Sequence, residues 1–334
     1  MLSNMSTKVS GSSMTVKLLV NVVFLTTFLL FIQNMDILFP SAPGAGNTSI
    51  SFTIVDEMRP LEESQTHAVA EETSHSRSQK SDKESYFIVF VIPTHPRKVQ
   101  QRNAIRQTWA NVDNWSLLAD QDEEKKRIRV LFICGNVTDE DYTDEFKQEV
   151  SDNDDIFVLK NITEGRVSLR YKNMWGFRYS HRHYNFEYLV KTDDDVTVNL
   201  PKMTEDLSKY PRGFYYFGSN AGKVGSPPQR WTYCSGGGYV LSYDLVREIV
   251  HLPPAVHKPS MKPEDVFTGW LVWNVNNNTE HSVVPHPMGA LHLSPYKCGP
   301  LNKWFYHGYK HISPERRIQI FRDYFMNNTP SKCS

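Results

Sequence analysis

Tyr86-Phe87-Ile88-Val89-Phe90-Val91-Ile92 is an unbroken apolar run, rich in β-branched and aromatic residues and stopped by Pro93. A strand with one wet face alternates apolar and polar residues, so a run without alternation predicts a strand buried on both faces, as in a parallel sheet covered by helices. Outward from it, the sequence alternates. A helical pattern covers residues 99–109, and a second buried strand is Val130-Leu131-Phe132-Ile133. A polar helix at 140–150 and a short strand, Ile156-Phe157-Val158-Leu159, come next. A long helical segment at 167–184 then leads to the strand Tyr188-Leu189-Val190-Lys191. Strands separated by helices predict an α/β fold with a doubly wound, mostly parallel sheet, whose ligands sit at the C-terminal ends of the strands. The later half is less regular. Residues 219–238 are rich in Gly and Pro and read as loops, with helices near 243–250, 264–273 and 314–325, all in the same domain.

The totals set bounds. With 334 residues, 40% of them hydrophobic and 12% aromatic, the chain can bury a substantial core. Its 37 Lys plus Arg balance 37 Asp plus Glu, so no overall field draws it to nucleic acid. The four cysteines, Cys134, Cys234, Cys298 and Cys333, form no Cys-x-x-Cys pair and no zinc-site spacing, which argues against a structural zinc. Three pairings of the four are open.

The N-terminus points to a membrane. Residues 18–39 are largely apolar, close to the roughly 17–25 that a membrane helix needs. A cleaved signal peptide is the rival reading, but nothing around Phe39, Pro40 and Ser41 looks like a clean small-x-small cleavage site, and the run is longer than most signal cores. Lys8 and Lys17 precede the run without an acidic neighbour, which places the short N-terminus on the cytoplasmic side. The expected order is a cytoplasmic tail (1–17), a transmembrane signal anchor (18–39), a luminal stem (40–84) poor in core residues, and a catalytic domain (85–334), giving a single-pass type II protein. Asn47, Asn114, Asn136, Asn161, Asn277 and Asn327 each stand two residues before Ser or Thr, as N-glycosylation of a luminal chain requires.

Two constellations carry chemistry. Asp193-Asp194-Asp195 follows the strand that ends at Lys191. Three adjacent carboxylates repel one another unless a cation or a hydrogen-bond network holds them, and a hard divalent ion with oxygen ligands suits that position. No Walker-type phosphate loop exists, and Gly236-Gly237-Gly238 does not lie before a Lys-Ser/Thr pair. A diphosphate would therefore be held through a metal. The second constellation is Glu264-Asp265-Val266 after Pro263. It is a helix start, where acidic residues favour the positive end of the dipole, and it also offers a fixed carboxylate as general base.

Five blocks in order carry a resemblance: Arg102-x-x-Ile105-Arg106-x-Thr108-Trp109; Phe132-x-x-Gly135; the triple Asp; Tyr233-Cys234-Ser235-Gly236-Gly237-Gly238-Tyr239-Val240-Leu241-Ser242; and Glu264-Asp265-Val266. From Tyr86 onward the chain resembles the β-1,3-galactosyltransferase and β-1,3-N-acetylglucosaminyltransferase family of Golgi type II membrane enzymes with an A-type glycosyltransferase fold. The resemblance implies that Asp195 ligates Mn2+, that Asp193 and Asp194 contact or orient a UDP-sugar, and that Asp265 is the catalytic base. His311-Ile312-Ser313-Pro314-Glu315 looks like the family's C-terminal block and makes His311 a further metal ligand. Arg102 and Arg106, one helical turn apart, either reach the donor diphosphate or form ion pairs. Trp231, Tyr233 and Tyr239 either wall a sugar site or pack the core. Residues 292–304, with Cys298, are spaced unlike the relatives.

The resemblance implies an inverting glycosyltransferase that moves a sugar from a UDP-sugar to a glycan on a glycolipid or glycoprotein in β-1,3 linkage. Galactose is the first expectation, N-acetylglucosamine and N-acetylgalactosamine the alternatives. A catalytically silent membrane lectin or chaperone, and a metal-dependent hydrolase, are the readings from other classes.

Overall fold

The computed structural model describes residues 54–55, 83–115, 127–257, 263–287, 290–292, 303–307 and 312–326. The tail, the anchor segment 18–39, most of the stem, Asn47, His311, Cys298, Cys333 and Asn327 lie outside the described residues. Among those described, no helix is long and apolar enough to cross a membrane.

In chain order the elements are β1 (Ile54–Val55), β2 (Glu84–Pro93), α1 (Val99–Gln107), β3 (Ile128–Cys134), α2 (Asp144–Asp152) and β4 (Ile156–Leu159). Then come α3 (Leu169–His183), β5 (Tyr184–Thr192), β6 (Thr197–Val198), α4 (Leu200–Leu207), β7 (Tyr216–Ser226) and β8 (Gln229–Ser242). Next are α5 (Tyr243–His251), α6 (Glu264–Asn278), β9 (Pro285–Pro287), β10 (Ala290–His292), β11 (Phe305–His307) and α7 (Pro314–Phe321). One sheet has the order β1-β4-β3-β2-β5-β8-β7-β9, and a small second sheet the order β10-β11-β6. β1 through β5 pair in parallel, whereas β8 runs antiparallel to both β5 and β7. The expected mostly parallel α/β sheet is what the chain forms.

The reading of Tyr86–Ile92 explains the layers. Successive side chains of a strand point to opposite faces. Val89 and Val91 accordingly enter one core with Leu131, Leu189 and Phe177, while Ile88, Phe90 and Ile92 enter the other with Trp109, Phe132 and Val190. Both faces of the central strands are dry, which is why the sequence shows no alternation there.

Two expectations change. Residues 219–238 are not loops; they form most of a long β7–β8 hairpin. Its glycines carry two register irregularities, between Gly218 and Asn220 and between Asn220 and Gly222, and those interruptions conceal a strand pattern in the sequence. The strand β1 falls inside the segment read as stem, where Ile54 and Val55 pair with Val158 and Leu159 at the sheet edge. Two residues are too short a run to register as a strand in sequence.

Helix starts follow side-chain chemistry. Thr143 caps α2 by accepting from Phe146 N at 3.2 Å, Asn199 caps α4 ahead of Pro201, and Ser313 caps α7 ahead of Pro314 and accepts from Arg316 N at 3.3 Å.

Candidate active site

β2 and β5 are neighbours, but the chain leaves β2 toward β3 on one side and reaches β5 on the other. That divergence is the topological switch point at which open α/β sheets bind ligands. From the β2 end, Thr94 Oγ1 donates to Asp194 Oδ2 at 2.9 Å, and Lys98 Nζ lies 2.7 Å from Asp194 Oδ1. The Asp194 backbone carbonyl accepts from Arg317 of α7 at 2.8 Å. Asp194 is buried and its carboxylate is engaged on both oxygens, so it clamps the turn after β5.

Its two neighbours point elsewhere. Asp193, Asp195 and His307 bring one potential ligand atom each to within 4.8 Å of one another, the one such group among the described residues. The small sheet supplies the histidine. β11 pairs antiparallel with β6, Tyr306 opposite Thr197, and one further step of that register sets His307 beside the residues that follow Asp195. His307 Nε2 is 3.4 Å from Asp195 Oδ1, and that carboxylate oxygen is buried without a hydrogen bond. Burial works to raise Asp195, yet His307, Arg317 and Lys98 hold it below the usual carboxylate range. Asp195 in turn raises His307. An ionised, buried oxygen lacking a donor, beside an imidazole and a second carboxylate, is the donor set of a divalent cation, and these residues fit one.

Opposite them stands the start of α6. Asp265 Oδ2 accepts from Gly236 N at 3.1 Å, and its Oδ1 accepts from Val266 N at 2.8 Å. Two backbone donors fix the carboxylate at the positive end of the helix. Glu264 is buried and turns inward, accepting from Asn173 and from Tyr239 Oη. Lys191 joins the two halves. Its Nζ reaches Asp193 Oδ1 and Glu264 Oε1, each at 2.7 Å, and the Gly236 carbonyl at 2.5 Å. Burial opposes the charge on Lys191, yet Asp193 and Glu264 raise its pKa; burial pushes Glu264 up to about 7 against the pull of Lys191.

The triple glycine forms the floor between these groups. A Cβ at Gly236 would stand 3.0 Å from Glu264 Oε1 and 3.4 Å from Asp265 Oδ2; one at Gly237, 3.3 Å from His307 Cγ; one at Gly238, 2.6 Å from the Phe305 ring. Only a backbone without side chains lets α6 and β11 approach the same strand so closely.

Residues 100–282 match the sequence profile of the family described as galactosyltransferase. The chain is 28% identical to β-1,3-galactosyltransferase 5 of Pan paniscus over 228 residues, covering 62% of this chain and 72% of that protein. The chain belongs to the β-1,3-galactosyltransferase family. The human β-1,3-galactosyltransferase 5 is 27% identical over 62% of this chain and 70% of its own length, and the mouse β-1,3-galactosyltransferase 1 is 27% identical over 57% and 61%. Among solved structures, a glycosyltransferase involved in glycosylation of the major capsid of PBCV-1 aligns with a TM-score of 0.35 and 13% identity over 71% of this chain and 98% of that one.

Membership makes the protein a hexosyltransferase similar to the β-1,3-galactosyltransferases. In this galactosyltransferase-family chain, Asp193 and the Glu264-Asp265 helix start are linked through Lys191 and Gly236. Arg102 and Arg106 do not face them with free guanidinium groups. Arg102 is fully buried, pairs with Glu149 at 2.6 Å and donates to the carbonyls of His95 at 2.6 Å and Pro96 at 2.8 Å. Arg106 pairs with Glu149 and Asp155, each at 2.7 Å. The ion-pair alternative is the one formed, and a buried guanidinium has no surface left for a diphosphate.

Tyr239 is buried core, hydrogen-bonded to Glu264 and Thr268, whereas Trp231 and Tyr233 remain half-buried. Cys134 and Cys234 are buried free thiols, each pushed by burial to about 12. Asn136, Asn161 and Asn277 are exposed, while the amide of Asn114 donates to the carbonyls of Gln107 at 2.9 Å and Thr108 at 2.8 Å. Sequence reasoning missed His307, Lys191, Thr94, Lys98 and Arg317. A lone lysine at the end of an apolar strand was the available signal for Lys191. Within Trp304-Phe305-Tyr306-His307 nothing separates a ligand from a strand residue.

Proposed function

We propose that this protein is an inverting, metal-dependent β-1,3-galactosyltransferase that takes galactose from UDP-galactose to a glycan acceptor. The observation that carries this reading is the pair of carboxylate groups, Asp193–Asp195 with His307 and Asp265, facing each other across the Gly236–Gly238 floor at a topological switch point. Two relatives named as β-1,3-galactosyltransferases support the choice of galactose and linkage.

A UDP-sugar is α-linked, so a β product requires one in-line displacement with inversion. Asp195, Asp193 and His307 would hold the cation, Mn2+ by resemblance, which supplies charge neutralisation to the departing diphosphate. Asp265 takes the proton from the acceptor hydroxyl, a contribution of roughly 10²–10⁴ in rate. Lys191 holds Asp193 and Glu264 in place, so the donor-side and acceptor-side carboxylates keep a fixed relation. Arg102 and Arg106 act at one remove, Arg102 by fixing the His95-Pro96 turn that carries Lys98 to Asp194. His311 remains a proposed further ligand.

The anchor at 18–39 with Lys8 and Lys17 before it supports a Golgi type II placement with the domain from residue 85 luminal, joined through the stem at 40–84. The exposed Asn136, Asn161 and Asn277 suit N-glycosylation there.

The full chain in detergent, assayed with UDP-galactose, UDP-N-acetylglucosamine and UDP-N-acetylgalactosamine on a panel of acceptors, tests the reading. Transfer of galactose, abolished by EDTA and restored by Mn2+, with a β-1,3 bond in the product by NMR, is the expected result. Full transfer in metal-free buffer, or another donor used in preference, overturns it.

A further inference from the structure

Away from the carboxylates, a cavity of about 290 Å³ opens between the β7–β8 hairpin and α6. Trp231, Val272, Trp273 and Asn276 form its wall, and Lys223 and Arg230 stand exposed on its hairpin side. No acidic residue lines it, and neither cation has a carboxylate partner among the described residues. The wall is built rather than incidental. Trp231 packs against Trp270 at 5.2 Å and Trp273 at 6.3 Å, Trp270 stacks on Trp273 at 5.1 Å, and Trp231 Nε1 donates to the Val266 carbonyl at 3.2 Å. Its indoles are thus held in fixed orientation while Trp231 and Trp273 keep part of their surface open.

The cleft is in register with Asp265. Val272, Trp273 and Asn276 follow Asp265 in α6 by seven, eight and eleven residues, the spacing of one helix face, and so lie about 10–16 Å along the axis. That separation exceeds one sugar ring and suits an oligosaccharide whose terminal hydroxyl is at Asp265.

We propose that this cleft is a remote acceptor subsite that takes an acidic oligosaccharide. The indole faces receive the C–H face of a pyranose several residues from the reacting end, and Lys223 and Arg230 pair with an anionic substituent, a carboxylate or a sulfate ester, on that part of the chain. The proposal rests on the reading of Asp265 as the group that meets the acceptor hydroxyl.

The test uses the full chain in detergent, without donor or metal. Tryptophan fluorescence is titrated with a neutral hexasaccharide, a uronic-acid hexasaccharide, a sulfated hexasaccharide and a neutral disaccharide. At least one anionic hexasaccharide binds tenfold or more tighter than the neutral one, and which of the two does so distinguishes carboxylate from sulfate. The Lys223→Gln/Arg230→Gln double variant, whose side chains are exposed, removes that preference, and Trp273→Ala weakens binding of both long charged and long neutral chains. In the transfer assay the double variant raises KM for the anionic hexasaccharide about tenfold and leaves kcat/KM for the disaccharide unchanged. Equal binding of charged and neutral chains, or an equal loss for disaccharide and hexasaccharide, overturns the subsite. Tighter binding of a polynucleotide or an acidic protein than of any glycan does so too. If the wild type transfers to no acceptor while the titration behaves as expected, the reaction assignment fails and the glycan site stands.

Discussion

Two charged clusters flank the parallel strands, and they are built on opposite principles. In one, Arg102, Arg106, Glu149 and Asp155 close upon themselves, with the guanidinium donors of Arg102 spent on a carboxylate and two backbone carbonyls. In the other, Asp195 keeps a buried oxygen without a donor, and Asp265 is held by backbone N–H groups alone. A buried carboxylate oxygen without a hydrogen bond is costly and leaves a position open to a ligand, whereas a fully satisfied cluster acts as scaffold. The contrast separates site from support more sharply than residue type does, since both clusters contain the charged residues that a nucleotide-sugar enzyme is expected to have.

Substitutions on the two sides should therefore fail differently. The largest effect is expected for Asp265→Asn, with a fall in transfer of two or more orders of magnitude and an unchanged UDP–Mn2+ affinity by isothermal titration. Near-normal transfer would remove the base assignment. Asp195→Asn should abolish measurable UDP–Mn2+ binding while leaving the thermal midpoint close to that of the wild type, because the carboxylate oxygen that is removed has no hydrogen bond and its contact with His307 is long, at 3.4 Å; a large drop in midpoint would show a structural role instead.

On the other side, Arg102→Met should cost about 3–5 kcal/mol in a denaturant titration, because the buried Glu149 keeps Arg106 on Oε1 but loses the donor to Oε2. Adding Glu149→Leu should return much of that loss, and transfer per folded molecule should stay within a few-fold of wild type. A selective loss of donor affinity in Arg102→Met would place this arginine in the site after all. Gly237→Ala should be milder, displacing His307 by the 3.3 Å contact of its new methyl and raising the Mn2+ concentration for half-maximal transfer several-fold. The smallest effect belongs to the exposed pair Arg212–Glu187, where Arg212→Gln should change stability by less than about 1 kcal/mol.

The parallel half of the sheet was legible because its strands are buried on both faces and therefore apolar throughout; Ile88–Ile92 announces itself. The β7–β8 hairpin was not, since its glycines and its bulges erase the period-two pattern on which a strand is recognised. Asp193–Asp195 and Asp265 were legible because clustered carboxylates at a strand end and a helix start need a reason. His307 was hidden because its meaning comes from β6–β11 pairing across more than a hundred residues, which no local pattern records. For Arg102 and Arg106 the local spacing fitted both readings, and only the positions of Glu149 and Asp155 separated them.

The site draws on Thr94 and Lys98, on residues 191–195, on Gly236, on Glu264 and Asp265, on His307, and on Arg317, so its members span more than two hundred positions. Contacts so distant in sequence form late, after the loops between them have closed. During synthesis the N-terminal strands can pair while Asp195 still lacks His307, and the Asp193–Asp195–His307 group cannot exist until the ribosome has added β11. A variant cut before residue 303 should therefore emerge with much of its sheet but without the Asp193–Asp195–His307 group and, on the proposed reading, with no affinity for UDP–Mn2+.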